Sequence, residues 1–232
     1  LSTASLGAMA DIMRATHLDE SIVASLCRES DMYHVLQRCA ILVSRMALTM
    51  PPPMFHDMVR ATASWPDLCR RLISTSATLS HARSRKLVAL GLAHMLRHAS
   101  AQDKGLLSAV PDMIGMWTEV VGEVVEDEAG SADRYERELS PTRALEIGED
   151  GIPFLDEFGL IEAAPTPSSA RTDAVRSRDP SFTVPLRAYV ADTLNAVLQN
   201  GSYKTQLQSL LATIDPLVLD TLQRGLSERP VA

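Results

Sequence analysis

His94 and His98 are the residues whose type and spacing come nearest to a chemical site. Four residues apart in a helix, they would share one face, as zinc ligands can. A zinc site needs a third ligand at suitable geometry, and the HExxH motif is absent. We therefore interpret the two histidines as ordinary surface or capping side chains, and we expect no bound metal.

Other catalytic signatures are missing from the sequence. It contains no GxSxG elbow, P-loop or GxGxxG fingerprint. Paired carboxylates are frequent only in a stretch without regular pattern, which could not hold them in the geometry that acid–base chemistry needs. Cys27, Cys39 and Cys69 form no CxxC pair, so we expect reduced, buried thiols. These features favour a binding protein with no cofactor over an enzyme.

The net charge of −7 is concentrated in one segment. Between Glu119 and Glu157 there are 13 acidic and 3 basic residues, a local charge of −10. The rest of the chain holds 16 acidic and 19 basic residues, or +3. The run Glu126-Asp127-Glu128 in this segment is either a solvated surface or an acidic arm that attracts a basic partner, and the length of the acidic stretch keeps both interpretations open.

A small basic cluster, Arg83, Arg85 and Lys86, precedes the longest apolar run. It is the other candidate for partner binding. It has no interleaved aromatic residues and belongs to an acidic chain, so we expect a solvated helix start and no direct contact with nucleic acid.

The apolar run that follows, Leu87–Ala93, contains no polar residue and predicts a central helix over Arg85–Leu96. A helix that is apolar around most of its circumference must be buried on several sides. The run is too short to cross a membrane, which takes about 20 residues. Ala89, Gly91 and Ala93 would allow neighbouring helices to approach closely.

Helical periodicity covers most of the chain and predicts an all-α protein of eight to ten helices. The composition agrees, because 46% of residues are apolar but only 4% are aromatic. Helices are expected to begin at the capping residues Asp31, Ser64, Ser80 and Asp215 and at Pro185. They are expected to end at Pro51–Pro53 and at Asn200-Gly201. Pro111 should kink the apolar series around it or split it into two helices, and the helical periodicity is lost after Val125. Trp65 and Trp117 are interpreted as packing residues.

This pattern predicts an α-solenoid, with a compact helical bundle as the alternative. We divide the chain into helical repeats (1–128), an acidic, Ser- and Pro-rich loop or insertion (129–182), C-terminal helices (183–226) and a tail (227–232). A stretch as long as the second part without a regular pattern is typical of an insertion that is partly disordered.

Three blocks of sequence resemble a known family. They are residues 84–96, residues 111–121 with the acidic run 126–128, and residues 179–186 followed by Val190, Leu194, Asp215, Leu219 and Leu222. In this order and spacing they are similar to the C-terminal HEAT repeats of importin-β (karyopherin) nuclear transport receptors, nearest to the importin-eleven type. The resemblance covers roughly residues 32–226.

The resemblance implies a HEAT-repeat α-solenoid that forms the C-terminal part of a longer nuclear import receptor. Such a receptor would bind protein cargo, possibly basic, contact nuclear pore proteins and shuttle between cytoplasm and nucleus. GTP-bound Ran would govern cargo release, mainly through repeats outside this chain. The alternatives are a HEAT-repeat scaffold without Ran dependence and, in a different class, a helical enzyme domain.

Overall fold

The computed structural model describes residues 17–28, 32–100, 102–103, 105–130 and 179–227. Within these ranges there are ten α-helices, one of only four residues, a 3₁₀ turn at Leu107–Ala109 and no strand. The helices are α1 (Leu18–Cys27), α2 (Tyr33–Thr49), α3 (Pro52–Thr62), α4 (Trp65–Ser76), α5 (Ala82–Arg97), α6 (Val110–Gly130), α7 (Pro180–Thr183), α8 (Leu186–Gln199), α9 (Gly201–Leu211) and α10 (Pro216–Ser227).

The helices are arranged in two rows. In one row, α5 packs between α2 and α8; in the other, α4 packs against α1 and α6, and α6 packs against α10. Contacts between the rows join α1 to α2, α4 to α5 and α5 to α6. Helix pairs that contact only their neighbours form an α-solenoid, which confirms the predicted fold class.

Helix α5 is the central element, as the apolar run predicted. All seven residues from Leu87 to Ala93 are buried. At Gly91 the neighbouring helix comes very close, because a Cβ built there would lie 2.9 Å from Cβ and 3.0 Å from Cα of Ser44 in α2. The expectation that small residues permit a close approach is therefore confirmed at Gly91.

Both tryptophans are packing residues, as expected. Trp117 in α6 is fully buried and donates its Nε1–H to the backbone oxygen of Ala89 in α5, over 3.1 Å. Trp65, the first residue of α4, is 3% exposed and donates to the carboxylate of Asp103, over 3.1 Å. Each indole thus packs its ring in the core and satisfies its one polar group.

Several helix ends differ from their predicted positions. The Ser64 cap is confirmed, since its hydroxyl oxygen accepts the Asp67 N–H at 3.3 Å. The Ser80 cap is wrong: α5 begins at Ala82 and its N-cap residue, His81, makes no side-chain capping bond. The predicted cap Asp31 lies outside the described residues, and α2 begins after Met32.

Prolines act at helix starts more often than the sequence suggested. Pro52 and Pro53 open α3 instead of only ending α2, because a first-turn residue needs no N–H donor. Pro111 was expected to kink the apolar series or to split it into two helices, but it lies in the first turn of the single α-helix α6, and the 3₁₀ turn leads directly into that helix. Pro185 is the residue before α8 and not part of its first turn. Gly201 begins α9 as well as following α8.

Two segments expected to lack regular structure are helical. Helix α6 continues to Gly130, past Val125 where the apolar pattern ends, because a final turn needs helix-forming residues but no apolar face. Helix α7 occupies Pro180–Thr183, and the Asp179 side chain caps it by accepting the Ser181 N–H at 3.0 Å. Residues 131–178 of the predicted insertion lie outside the described ranges.

The contact at Gly91 predicts a measurable loss of stability. Substitution Gly91→Ala places a methyl group against the backbone of α2 at Ser44. We expect the free energy of unfolding in urea to fall by about 1–3 kcal/mol, because overpacking outweighs the gain in helix propensity.

Gly122→Ala in α6 is the matched control, since no atom lies within 4 Å of a Cβ at that position. The same substitution should raise the free energy of unfolding there by about 0.5–1 kcal/mol. Equal effects at the two glycines would contradict the importance of the α2–α5 contact.

Candidate protein-binding surface

Helix α6 presents an acidic face opposite its packed side. Met113, Trp117 and Val121 are buried, whereas Glu119 and Glu123 point outward with 67% and 37% of their side chains exposed. They are four residues apart and therefore lie on the same face of the helix. We call this face, with its continuation toward Gly130, the acidic ridge.

The backbone of the ridge continues as helix through the predicted binding run Glu126-Asp127-Glu128. Position 126 is one turn beyond Glu123, and position 127 is four residues beyond it, so the run extends the same helical side. The structure describes the backbone at these three residues but not their side chains. It thus places the acidic run on a helix end and not in a loop.

The predicted basic cluster lies beside this ridge. Arg85 in α5 donates from Nη2 to Oε2 of Glu119 over 3.1 Å, and from Nη1 to Oε1 of Glu123. Its side chain is only 15% exposed. Arg83 and Lys86 are half-buried and have interactions of their own. Arg85 therefore joins α5 to α6 within the protein.

Negative charge at this end of α6 opposes the helix dipole. The C-terminal end of a helix carries a partial negative charge, so acidic residues there are unfavourable by roughly 0.3–1 kcal/mol each. Helix α6 has no basic residue in its last turn, which contains Asp127 and Glu128. A cationic group from a binding partner would remove this repulsion, and the surface is thus suited to a basic ligand.

A second charged site, which the sequence did not reveal, lies in the core around Asp103. This carboxylate is fully buried and accepts hydrogen bonds from Trp65 Nε1, over 3.1 Å, and from the Ser100 backbone N–H and hydroxyl, each over 2.8 Å. His56 Nδ1 lies 2.8 Å from Oδ2, and Arg60 Nη1 lies 3.7 Å from Oδ1. The cluster fastens the connection between α5 and α6 to α3 and α4.

The Asp103 cluster contains a serine, a histidine and an aspartate, but it is not arranged for nucleophilic attack. In a catalytic triad the serine hydroxyl bonds to the histidine. Here the Ser100 hydroxyl bonds to Asp103 instead, and His56 is 4% exposed. Burial alone would raise the pKa of Asp103, but the hydrogen bonds from Ser100 and His56 hold that pKa below its ordinary value. The carboxylate acts as a structural anchor.

A third polar contact holds the start of α7 against α2. Arg45 in α2 donates from Nη2 to Oδ2 of Asp179 over 2.7 Å, and Ser181 donates its hydroxyl to Oδ1 over 2.8 Å. Burial opposes ionisation of Asp179, yet the bonds from Ser181 and Arg45 keep its pKa low. This ion pair spans 134 positions of sequence, which no local pattern could predict.

The two histidines do share a face of α5, with ring centroids 4.5 Å apart. His94 Nδ1 lies 2.5 Å from the hydroxyl of Tyr189 in α8, and the Arg97 guanidinium lies over the Tyr189 ring. Burial, followed by the nearby His98, lowers the pKa of His94 to about 4, so His94 is neutral at pH 7. The residues with described positions contain no group of three potential metal ligands. The pair contributes to packing between α5 and α8.

Comparison with protein families gives a match over nearly the whole chain. The family model described as "Importin-11-like, TPR repeats" matches residues 1–227. The chain belongs to this family. The resemblance to importin-eleven-type receptors is thereby confirmed. Comparisons with curated proteins and with solved structures gave no match.

The family description names TPR repeats, whereas the sequence resemblance pointed to HEAT repeats. Both repeat types are stacked helix pairs, and the two rows of helices in this importin-11-like chain have that architecture. None of the helices in the described ranges is long and apolar enough to span a membrane.

Substitution Asp103→Asn tests the buried anchor. The amide of the variant places an NH₂ group, which cannot accept a hydrogen bond, where the carboxylate oxygen accepted one. We therefore expect the free energy of unfolding at pH 7 to fall by about 1–3 kcal/mol. The folded-state pKa of Asp103 lies below the ordinary value of 3.8. Its stabilisation is therefore complete above that value and is lost as the pH falls through the folded-state pKa. The variant should lose less stability than the wild type as the pH falls below that ordinary value.

The control for this substitution is Asp192→Asn, an exposed aspartate of α8. We expect its unfolding free energy to stay within about 0.5 kcal/mol of the wild type. Urea unfolding at a series of pH values measures both quantities. Identical acid dependence in Asp103→Asn and the wild type would show that Asp103 is not an anchor.

Proposed function

We propose that this importin-11-like chain forms the C-terminal part of a nuclear import receptor that binds protein cargo under the control of GTP-bound Ran. The observation that carries the proposal is the family match over residues 1–227. The two-row solenoid supports it, because stacked helix pairs form long surfaces on which another protein can lie.

Within the chain, the acidic ridge of α6 is the proposed cargo contact. Arg85 already pairs with Glu119 and Glu123, so part of the negative charge is neutralised inside the protein. The run from Glu126 to Glu128 extends beyond those ion pairs and lies at the helix end where negative charge is least favourable. A basic cargo segment would bring positive charge to this end of the helix, with a rate and affinity that salt weakens.

The remaining parts of the proposal follow from the same family relationship. The receptor would move between cytoplasm and nucleus, contact nuclear pore proteins, and meet Ran mainly through repeats outside this chain. It would act by binding and not by catalysis, which accords with the structural role of the Asp103 cluster.

Ran dependence is tested with the longest natural protein that contains this chain. It is immobilised and loaded with partners from cytosol, and then GTP-bound Ran is added, with GDP-bound Ran as the control. We expect GTP-bound Ran alone to release the specific partners, because cargo and Ran binding are coupled in an import receptor. If every partner stays bound, the import-receptor proposal fails and a Ran-independent scaffold is favoured.

Charge neutralisation tests the acidic ridge. The triple variant Glu126→Gln, Asp127→Asn and Glu128→Gln should weaken binding of a basic cargo peptide about 10-fold at low salt, or about 0.5 kcal/mol for each charge. The difference should shrink in high salt, where surface charges are screened. Fluorescence anisotropy with a labelled peptide measures both. The variant should be at least as stable as the wild type, because it removes charges that oppose the helix dipole.

A matched control removes three exposed negative charges elsewhere, by Asp57→Asn, Asp192→Asn and Asp220→Asn on α3, α8 and α10. It has the same net charge as the first variant but leaves the ridge intact. We expect it to bind the peptide more than 3-fold tighter than the ridge variant at low salt. Equal affinities for the two variants would show that only net charge matters and would remove the ridge from the proposal.

A further inference from the structure

The start of α5 carries positive charge where a helix favours negative charge. Its first turn, which begins at Ala82, contains Arg83 and Arg85 and no acidic residue. The N-terminal end of a helix has a partial positive charge, so a cation in the first turn is unfavourable. The electrostatics of α5 itself therefore do not explain why an arginine occupies position 85.

The surroundings of Arg85 add a second unfavourable contribution. Its side chain is 15% exposed, and its Nε atom is buried with no hydrogen-bond partner among the described residues. A buried N–H group that makes no hydrogen bond has lost its contact with water without a replacement. Both Nη atoms of Arg85 do donate, to the carboxylates of Glu119 and Glu123. These two ion pairs are the interactions that offset the unfavourable position of Arg85.

Arg85 contacts the acidic ridge from one side and leaves its other side open. Its guanidinium comes from α5, in the other row of helices, and bonds to Oε2 of Glu119 and to Oε1 of Glu123. The glutamate side chains are 67% and 37% exposed, whereas Arg85 is largely buried. A cation from outside the protein can therefore reach the same two carboxylates that bind Arg85.

Arg85 lowers the negative charge that such a cation meets. Glu119 and Glu123 contribute two negative charges at this part of the ridge, and Arg85 offsets one of them. We propose that Arg85 is an internal competitor, which limits the affinity of the acidic ridge for a basic cargo segment. This inference rests on the proposed function, in which the ridge binds basic cargo. A carrier must release what it binds, and a weaker contact generally dissociates faster.

Removal of the competing charge tests the inference. In Arg85→Gln, the two glutamates keep their negative charge and lose the adjacent cation. We expect a fluorescein-labelled oligo-arginine peptide to bind the whole chain about 3-fold more tightly than the wild type, measured by fluorescence anisotropy. The measurement is made at about 0.1 M salt, where exposed charges more than about 10 Å apart are largely screened. It thus reports the charge next to the ridge.

Arg38→Gln is the control for net charge. Arg38 is an exposed arginine of α2, which packs against α1 and α5, and its substitution changes the net charge by the same amount. The affinity for the peptide should change by less than about 1.5-fold, because the removed charge is not beside the ridge.

Arg85→Lys is the control for packing, since lysine keeps the positive charge but lacks the planar guanidinium that bonds to both glutamates. Its affinity for the peptide should stay within about 1.5-fold of the wild type, because the competing charge remains. Should Arg85→Gln fail to fold, Arg85→Met takes its place, because methionine keeps an apolar stem and has no charge.

Two results would overturn the inference. Equal affinities of Arg85→Gln and Arg38→Gln would show that Arg85 does not compete with the peptide. Equally tighter binding by Arg85→Gln and Arg85→Lys would assign the gain to a looser contact between α5 and α6 and not to charge.

The triple variant at positions 126–128 separates this inference from the proposed function. If that variant weakens peptide binding while Arg85→Gln has no effect, the ridge binds basic cargo but Arg85 is not a competitor. Failure of the peptide to bind any of these proteins would overturn both proposals. Tighter binding by Arg85→Gln alone, together with weaker binding by the triple variant, is the result that supports both.

Discussion

The fold depends on the close contact between α5 and α2 at Gly91. Because Gly91 has no side chain, the backbone of α2 at Ser44 approaches to a distance that a methyl group would not permit. This close approach allows α5, whose residues Leu87–Ala93 are all buried, to pack against the neighbouring helices on both sides. Every other part of the row, including the packing of α8 through Tyr189 and His94, is built onto that helix.

Charged groups then determine how the remaining segments attach to this apolar centre. Arg85 holds α6 against α5, and Asp103 holds the connection between these two helices. The ion pair of Arg45 with Asp179 holds the start of α7 against α2. Each joins residues that are far apart in sequence. Two of the three use a buried carboxylate whose hydrogen bonds offset its loss of hydration. Specific polar contacts thus position elements that hydrophobic burial alone would leave free to slide.

The same arrangement separates the structural charges from those suited to a partner. Arg85 was a candidate for partner binding on sequence grounds, and the structure instead places its guanidinium between α5 and the acidic ridge. The ridge nevertheless carries more negative charge than one arginine can neutralise, and its end opposes the helix dipole. This excess of acidic residues is the basis on which the ridge is proposed as a contact for basic cargo.

The sequence by itself determined the helical class, the central buried helix and the stacked architecture. Apolar spacing and turn residues are local signals, and the run from Leu87 to Ala93 could only be buried on several sides. Tertiary structure decided the helix ends at Ala82, Gly130 and Pro180, the partner of Arg85, and the cluster around Asp103. The contacts of Arg85 with Glu119 and of Asp103 with Trp65 and His56 join groups 34 or more residues apart. A carboxylate such as Asp103 looks in sequence like any solvated loop residue, and only the packing of α3 and α4 around it makes it an anchor.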